Sequence, residues 1–286
     1  MMRNVLNKII AMMIVGMVFV AFISIMFLYN EVRNARLVEN GDNLTGQRIG
    51  VKSGWESDYF LSNRSDITLK RYDTLADMFM ALNYKQVDAI AVDEASLAMA
   101  KYSIDGIKEV EGSLASTNYC AYVAKNNTEW LNKVNAFFDY FKHSDEYDDY
   151  VNHYFDMDWI NNGELVKPTG TGDVIKVGYT KEYYPFTYVE ADGEIRGNEI
   201  ELMIRMANYY DMRIEFIPVT PESYAFDMKS GAIDVMVASI SDMYRAESEG
   251  VTSPVTMSDG YIESEILCVV VDGKMEMKNA GLLASN

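Results

Sequence analysis

Polar and aromatic residues follow short apolar runs at matching places in the two halves of the sequence. They are Lys52, Asp93, Tyr183, Ser239, Ser241 and Arg245. The planar guanidinium of Arg245 is suited to hold a carboxylate through two hydrogen bonds, and Asp93 is a complementary acceptor for an ammonium. Ser239 and Ser241 add hydroxyl groups, and Tyr183 adds an aromatic wall. Together these residue types suit a zwitterion such as an amino acid.

Each candidate also has a structural interpretation. Asp93 precedes the helical pattern "EASLAMAKY" and is of a residue type that commonly caps a helix N-terminus. Arg245 lies in a polar stretch, where an arginine is commonly solvated, and Tyr183 is one of 20 tyrosines. The binding interpretation therefore depends on the coincidence of these positions in two similar halves of the chain.

An alternation of strand-like and helix-like segments must position these residues. "QRIGVKSG" and "VDAIAV" are typical of buried strands, and "DTLADMFMALNY" has the apolar spacing of one helix face. After a linker rich in Gly and Thr at 161–173, the alternation restarts with "VIKVGYT", and Asp88 and Asp234 head a buried strand in each half. The pattern predicts an α/β fold of two lobes, 44–160 and 174–272, with ligand-facing residues at the carboxyl ends of strands.

The N-terminus has the character of a membrane anchor. Ile9 to Tyr29 is an uncharged apolar run, and as a helix it would be about 31 Å long, close to the hydrocarbon thickness of a bilayer. A cleaved signal peptide is the alternative, but its apolar region is usually only ~7 to 15 residues long and ends in a small-residue cleavage site. Arg3 and Lys8 precede the run, which predicts a cytoplasmic N-terminus and lobes outside the membrane, in the periplasm or the extracellular space. The predicted segments are an anchor (1–30), a juxtamembrane linker (31–43) and a tail (273–286).

The charge balance excludes one class of partner. The chain has 43 acidic and 25 basic side chains and a net charge of -18, so its surface repels nucleic-acid phosphates and anionic lipid. Cys120 and Cys268 each lie in an apolar run, which favours two buried thiols, although their spacing leaves a disulfide open. No metal-ligand spacing appears, and we predict no metal or cofactor.

Several quoted segments resemble one protein family. "VIKVGYTKEYYPFTYVEADGEIRGNEIELMIRMANYYDMRIEFIPV" resembles the opening of the family 3 solute-binding proteins, the extracellular amino-acid receptors of ABC transporters. "LTGQRIGVKSG", "YDTLADMFMALNYKQVDAIAVDEASLA" and "DEYDDYVNHYFDMDW" resemble the second lobe and the terminal helices of the same family. The resemblance implies a two-lobed α/β fold of the type II periplasmic-binding-protein kind. It covers roughly 44–160 and 174–272.

The order of the lobes differs from the family. In the family the "YPF" lobe comes first, whereas here the lobe that resembles the second one comes first. One explanation is a circular permutation, which is physically inexpensive because domain termini commonly lie close together. The other is that the chain is a piece of a tandem array, each lobe belonging to a different copy. Both explanations stay open.

The resemblance also implies roles for individual residues. Arg245 corresponds to the arginine that clamps the α-carboxylate of the ligand, and Asp93 to the acid that holds its α-ammonium. Ser239 corresponds to a hydroxyl that meets the carboxylate, Tyr183 to an aromatic residue that stacks on the ligand, and Lys52 to the head of the second-lobe loop.

Three departures from the family pattern bear on the site. "SISDMYR" is one residue longer than the usual T-x-T-x-x-R spacing, which displaces Arg245 relative to the pattern. Trp55 and Glu56 stand where small residues usually let backbone N–H groups approach the ligand, so Trp55 joins the candidate site residues. Pro221 stands near the place of a second aromatic wall.

The sequence therefore predicts a membrane-anchored, extracytoplasmic module for an amino acid or similar small zwitterion. Its two lobes would close around the ligand and act with an ABC permease or a signalling partner. The alternatives are a degenerate copy without a ligand, or a fragment of a tandem sensor. An enzyme derived from this fold is a further alternative. The sequence argues against it, because His143 and His153 lie in an acidic helical stretch without a catalytic spacing.

Overall fold

A computed structural model describes residues 12–26, 38, 41, 43–248 and 253–278. Residues 12–26 form helix α1, whose side chains are exposed. In this part of the chain, no helix combines the length and the hydropathy that a membrane crossing needs. The predicted span, Ile9 to Tyr29, extends at both ends outside the described residues, so the anchor stays a prediction.

The remaining elements alternate along the chain. The strands are β1 (Arg48–Lys52), β2 (Thr68–Tyr72), β3 (Ala89–Asp93), β4 (Ile104–Ala124), β5 (Val174–Tyr179), β6 (Glu182–Tyr183), β7 (Thr187–Val189), β8 (Ile195–Arg196), β9 (Arg213–Pro218), β10 (Val235–Ser241), β11 (Val255–Met257) and β12 (Ile262–Met277). The helices are α2 (Glu56–Leu61), α3 (Leu75–Asn83), α4 (Glu94–Ser103), α5 (Thr128–Lys142), α6 (Asp145–Tyr154), α7 (Met157–Asn162), α8 (Asn198–Tyr209), α9 (Tyr224–Ser230) and α10 (Arg245–Ser248), with a 3₁₀ turn at Asp242–Tyr244.

The main sheet joins both halves of the chain. Its strand order is β2-β1-β3-β12-β4-β10-β5-β9, and β11 pairs with β4. The pairs β1–β2, β1–β3, β5–β9 and β5–β10 are parallel, whereas β12 and β4 are antiparallel to each other and to their outer neighbours. The α/β class predicted from the sequence is therefore confirmed, with two parallel groups of strands separated by an antiparallel pair.

Strands β4 and β12 connect the two parallel groups. We call the group of β1, β2 and β3 with α2, α3 and α4 lobe A. Lobe B is the group of β5, β9 and β10 with α8 and α9, together with β6 and the 3₁₀ turn that follows β10. Strand β4 pairs with lobe B at Tyr119 to Val123, and β12 pairs with lobe A at Ile266 to Val269. Between these places, in the described sheet, Ser116–Asn118 pairs with Glu263–Glu265 as a two-stranded ribbon. The lobes are thus joined by a narrow antiparallel connection.

The helices that follow β4 do not all pack on the lobe that precedes them in the sequence. Phe137 of α5 and Tyr154 of α6 belong to one core cluster with Val177 and Met203 of lobe B. Helix α7 returns to lobe A, where its Ile160 joins a second core cluster. The segment 44–160 therefore contributes α5 and α6 to lobe B, while the domain bounds drawn from the sequence remain a prediction.

The Asp-headed strands form the same bonds in both lobes. In lobe A, the Asp88 carboxylate accepts from the Arg48 N–H at 2.8 Å, and the Asp88 N–H donates to the Arg48 carbonyl at 2.8 Å. In lobe B, Asp234 accepts from the Lys176 N–H at 2.9 Å and donates to the Lys176 carbonyl at 2.8 Å. Each aspartate therefore holds the start of its strand against the neighbouring parallel strand, and the repeat predicted from the sequence is confirmed.

Candidate functional site

Side chains from both lobes meet where the strands of each lobe end. The Lys52 Nζ lies 3.8 Å from the centre of the Trp55 ring. Trp55 in turn meets Tyr183 of lobe B edge-on, with 6.3 Å between ring centres, and the Ser239 Oγ donates to the Tyr183 Oη at 3.3 Å. Asp93 is close enough to shift the pKa of both Lys52 and Tyr183. We call these five residues the interlobe cluster. It contains five of the seven candidates named from the sequence, and their role in binding a ligand stays a prediction.

Asp93 caps helix α4 from the end of β3. Its Oδ1 accepts from the Ser96 N–H at 2.8 Å, and its Oδ2 accepts from the Ser96 hydroxyl at 2.7 Å. The residue is buried, and burial raises the pKa of its carboxyl group. The structural interpretation of Asp93 is thus confirmed. Each carboxylate oxygen has a further lone pair, so the cap leaves acceptor capacity for an ammonium, and that role stays a prediction.

Glu56 adds a second buried carboxyl group beside the interlobe cluster. It is the first residue of α2, with Trp55 as the N-cap, and it is buried. Burial, and then the charge of Asp93, raises the pKa of Glu56 to about 7, while its own backbone N–H and Lys52 act against this rise. Burial lowers the pKa of Lys52 to about 8, against the attraction of Asp93 and Glu56. Sequence reasoning noted Glu56 as a departure from the family and missed it as a charge of the site.

Ser239 has an irregular backbone. Between the pairs Met236–Tyr122 and Ile240–Cys120, β10 advances four residues while β4 advances two. Ser239 lies in this bulge with a φ of 46°, a left-handed conformation that few non-glycine residues adopt. The strand thus takes up extra residues just where "SISDMYR" begins.

A buried glutamate of α8 supports this bulge. The Glu199 Oε1 accepts from the Ser239 N–H at 2.6 Å and also from the Tyr261 hydroxyl. Glu199 is fully buried, and among the described residues its Oε2 has no hydrogen-bond partner. Burial raises the pKa of Glu199 to about 7, against the two donors. The sequence offered no signal for this residue except an acid in the first turn of an amphipathic helix.

Arg245 and Ser241 make other contacts. Arg245 donates from Nη2 to the Ser258 carbonyl at 2.8 Å, and the same nitrogen lies 3.6 Å from the Cys120 Sγ. The Ser241 Oγ lies 2.5 Å from the Thr117 Oγ1 and accepts from a backbone N–H of the following 3₁₀ turn. These contacts hold both residues on the framework of lobe B, and neither joins the interlobe cluster through them. Cys120 and Cys268 are both free thiols.

Further contacts close the lobes on each other. The Tyr244 hydroxyl of lobe B donates to the Gly54 carbonyl of lobe A at 3.1 Å, and the Tyr244 ring lies 5.2 Å from that of Tyr59. Together with the contact between Trp55 and Tyr183, they form an aromatic seam. An opening of the lobes would have to break this seam.

A cavity of about 520 Å³ lies outside the interlobe cluster. Its lining includes Glu94, Lys101 and Glu109, but none of the seven residues predicted from the sequence. Lys101 and Glu109 form an ion pair at 2.8 Å with about half of each side chain exposed, which is typical of a solvated surface. The interlobe cluster is the better candidate site because its Asp93 is buried and its Lys52 is half-buried.

Comparison with known proteins agrees with the family resemblance over part of the chain. Residues 175–272 match the bacterial extracellular solute-binding proteins, family 3. This match confirms the resemblance for that segment, about a third of the chain. No curated protein sequence matches the chain.

Solved structures of binding proteins are also similar. A probable amino-acid ABC transporter extracellular-binding protein of Bacillus subtilis has 8% identity and a TM-score of 0.43 over 80% of this chain and 85% of its own. A zinc-bound ligand-binding component of an ABC-type import system from Staphylococcus aureus has 13% identity and a TM-score of 0.40 over 79% of this chain and 66% of its own. The L-cystine solute receptor of Neisseria gonorrhoeae has 29% identity and a TM-score of 0.22 over 23% of this chain and 28% of its own. The chain thus spans less than two thirds of the length of the latter two proteins.

Proposed function

We propose that this chain is an extracytoplasmic solute-binding module that closes its two lobes around an amino acid or a similar small zwitterion. The observation that carries the proposal is the interlobe cluster, in which Lys52, Trp55 and Asp93 of lobe A meet Tyr183 and Ser239 of lobe B. These residues combine charge, hydrogen-bonding groups and aromatic rings at the place where open α/β sheets bind ligands. The family match of residues 175–272 supports the same function.

The mechanism is hinge closure about the two-stranded ribbon. Ser116–Asn118 and Glu263–Glu265 pair with each other there, so small dihedral changes along the ribbon rotate one lobe against the other. Opening separates Trp55 from Tyr183 and exposes Asp93 to solvent. A ligand that contacts both lobes binds the closed form better, and this difference in affinity shifts the equilibrium towards closure.

Two further parts of the proposal concern the whole protein. The apolar run from Ile9 to Tyr29 anchors the module in a membrane, with the lobes on the outer side, where an ABC permease or a signalling partner reads closure. The lobe order is a circular permutation, which is supported by the two lobes sharing both β4 and β12 within one chain. Sequencing the coding DNA beyond Asn286 separates this explanation from a tandem array, which would continue with a further lobe.

A thermal-shift assay with a panel of amino acids tests the binding function. A ligand at 100 times its dissociation constant stabilises the folded protein by about 2.7 kcal/mol, which raises the melting temperature by several degrees. If no member of the panel shifts the melting temperature, the proposal is refuted. A shift that persists in Arg245→Ala would show that Arg245 does not clamp the ligand carboxylate.

A second candidate is a contact module without a ligand, and the seam favours it. The Trp55 ring of lobe A contacts the Tyr183 ring of lobe B, and the Lys52 ammonium lies over the Trp55 ring. These contacts hold the lobes together without a ligand. In that case Trp55→Gly would lower the melting temperature and still give no shift with any solute. An enzymatic function has weaker support, because His143 lies 2.7 Å from the Asp139 carbonyl and His153 stacks on Trp159.

A further inference from the structure

The charges in and beside the interlobe cluster do not balance. Two carboxyl groups, Asp93 and Glu56, are buried there, with 5% and 7% of each residue exposed. The Lys52 ammonium is the cation that faces them, and it is half-buried. Two carboxylates and one ammonium leave a net negative charge in a place that water reaches poorly, which is costly unless a proton or another cation compensates it.

The position over Trp55 already holds a cation. The Lys52 Nζ lies 3.8 Å from the ring centre, well within the range in which an aromatic face attracts an ammonium. Tyr183 meets the same indole edge-on and covers it from lobe B. The aromatic face and the charges of Asp93 and Glu56 therefore all favour a cation at this position, and the flexible Lys52 chain now supplies it.

We propose that the cleft selects a solute of net positive charge, whose ammonium enters at the Trp55 ring, beside Asp93 and Glu56, while the flexible Lys52 chain shifts but keeps its own ammonium in the cleft. The inference rests on the proposed binding function and narrows its ligand. A diamine and a basic amino acid share the required chemistry. An amino acid without a charged side chain is neutral overall, so it leaves the excess negative charge of the cleft in place.

Proton release should accompany binding. Glu56, whose pKa burial raises to about 7, faces Asp93 on β3, Lys52 on β1, Tyr119 on β4 and Tyr183 on β6. Burial raises the pKa of both tyrosines well above its ordinary value, so they stay neutral near pH 7. A cation prefers the ionised form of Glu56 and displaces its proton. Affinity should therefore rise about tenfold between pH 6 and pH 8, as the ionised fraction of a group with this pKa does.

Isothermal titration calorimetry of the full chain with three probes tests the charge preference. L-Lysine and L-norleucine differ in the terminal ammonium, and cadaverine is L-lysine without its carboxylate. At pH 8 we expect L-lysine or cadaverine to bind at least about tenfold more tightly than L-norleucine, since a desolvated cation–π contact and a carboxylate together can supply such a factor. The comparison between L-lysine and cadaverine then shows whether the solute carries a carboxylate.

Two variants test the cation position. Lys52→Met removes the competing ammonium, so the cationic probes should bind more tightly, whereas a lysine that held a ligand carboxylate would give weaker binding of L-lysine. Glu56→Gln should lower the affinity for the cationic probes at pH 8 and weaken the pH dependence to the smaller part that Lys52, with a pKa of about 8, contributes. Glu129→Gln is the matched control, because Glu129 is a largely exposed glutamate of α5 that pairs with Lys133, and it should behave as the wild type.

The outcomes separate this inference from the function on which it rests. Tight binding of L-norleucine with no gain for L-lysine or cadaverine would overturn the charge preference and leave amino-acid binding intact. Binding of no probe, together with no shift in the amino-acid panel, would refute both. The wild-type comparison needs no variant, so a folding defect in Glu56→Gln does not obscure the result.

Discussion

Replacement of the buried Glu199 by glutamine should flatten the pH dependence of stability. The carboxyl group is fully buried on α8, and burial raises its pKa from 4.5 to about 7. Below pH 4.5 it is protonated in both the folded and the unfolded chain, so it adds no pH dependence to the free energy of unfolding. Between pH 4.5 and pH 7 the folded protein keeps a proton that the unfolded chain has released, so the free energy of unfolding falls as the pH rises.

The magnitude follows from that pKa difference. One pKa unit corresponds to about 1.4 kcal/mol, so the ionised Glu199 costs roughly 3 kcal/mol above pH 7. Glutamine keeps an acceptor for the Ser239 N–H and the Tyr261 hydroxyl, the two donors that Glu199 accepts. The Glu199→Gln variant should therefore match the wild type at pH 4 and exceed its free energy of unfolding by about 3 kcal/mol at pH 8.

Urea unfolding of the full chain at pH 4, 5, 6, 7 and 8, followed by circular dichroism, measures this difference. The exposed Glu182 of β6 supplies the control variant, Glu182→Gln, which should follow the wild type at every pH. The pKa of Glu56 is also about 7, so the free energy of unfolding of Glu199→Gln should still fall somewhat as the pH rises. Parallel curves for the wild type and Glu199→Gln would refute the reasoning, because Glu199 would then ionise as readily in the folded as in the unfolded chain.

Three smaller predictions concern the framework. Asp88→Asn should lower the free energy of unfolding by about 1–3 kcal/mol in urea titrations, because the ion pair with Arg48 at 2.7 Å is partly buried; an unchanged midpoint would contradict it. Gly178→Ala should cost about 1–3 kcal/mol in the same assay, because a Cβ there would lie 2.7 Å from the Ile233 Cδ1; unaltered stability would show that Ile233 moves aside freely. Tyr244→Phe removes the hydroxyl that donates to lobe A, so small-angle scattering should show a more open average shape, and an unchanged radius of gyration would count against the seam.

Local patterns in the sequence predict the elements of this fold well. The helix face of "DTLADMFMALNY" and the buried run "VDAIAV" appear as Leu75–Asn83 and Ala89–Asp93. Both depend on spacing within one segment, where apolar periodicity is informative. The repeat of Asp88 and Asp234 was predictable for the same reason, since each aspartate lies next to the strand that it heads.

Long-range pairing explains what the sequence did not predict. Strand β4 is 21 residues long, and much of it is polar, so its first part has no strand signal of its own. It is extended because β12, some 150 residues later in the chain, pairs with it from Tyr119 to Ile104. The packing of α5 and α6 on lobe B likewise depends on partners that are distant along the chain, and periodicity carries no information about the partner.

The sequence indicates the residues of the candidate site that lie at strand ends, but not those whose position depends on distant parts of the chain. Strand ends identify Lys52, Asp93 and Tyr183, because residues at such ends face a common cleft. Arg245 follows an irregular strand. The spacing of "SISDMYR" indicated an extra residue there but not the contact of Arg245 with the Ser258 carbonyl. Buried carboxyl groups such as Glu199 are invisible to pattern reasoning, since an acid in a first helical turn is normally solvated.

The two buried glutamates, Glu56 and Glu199, lie on opposite sides of the seam. The number of protons released on ligand binding distinguishes them. A chain of contacts joins them. Glu199 accepts a hydrogen bond from the Ser239 N–H, and the Ser239 hydroxyl donates to Tyr183. The Tyr183 ring meets that of Trp55, the N-cap residue directly before Glu56. Glu56 borders the cation position, whereas Glu199 lies behind the bulge. Calorimetry of cadaverine binding in two buffers of different ionisation enthalpy counts the protons released. Glu56→Gln should reduce this release near pH 7 to the small part that Lys52 contributes, and Glu199→Gln should retain it. An equal reduction in both variants would mean that the two acids titrate as one unit across the seam.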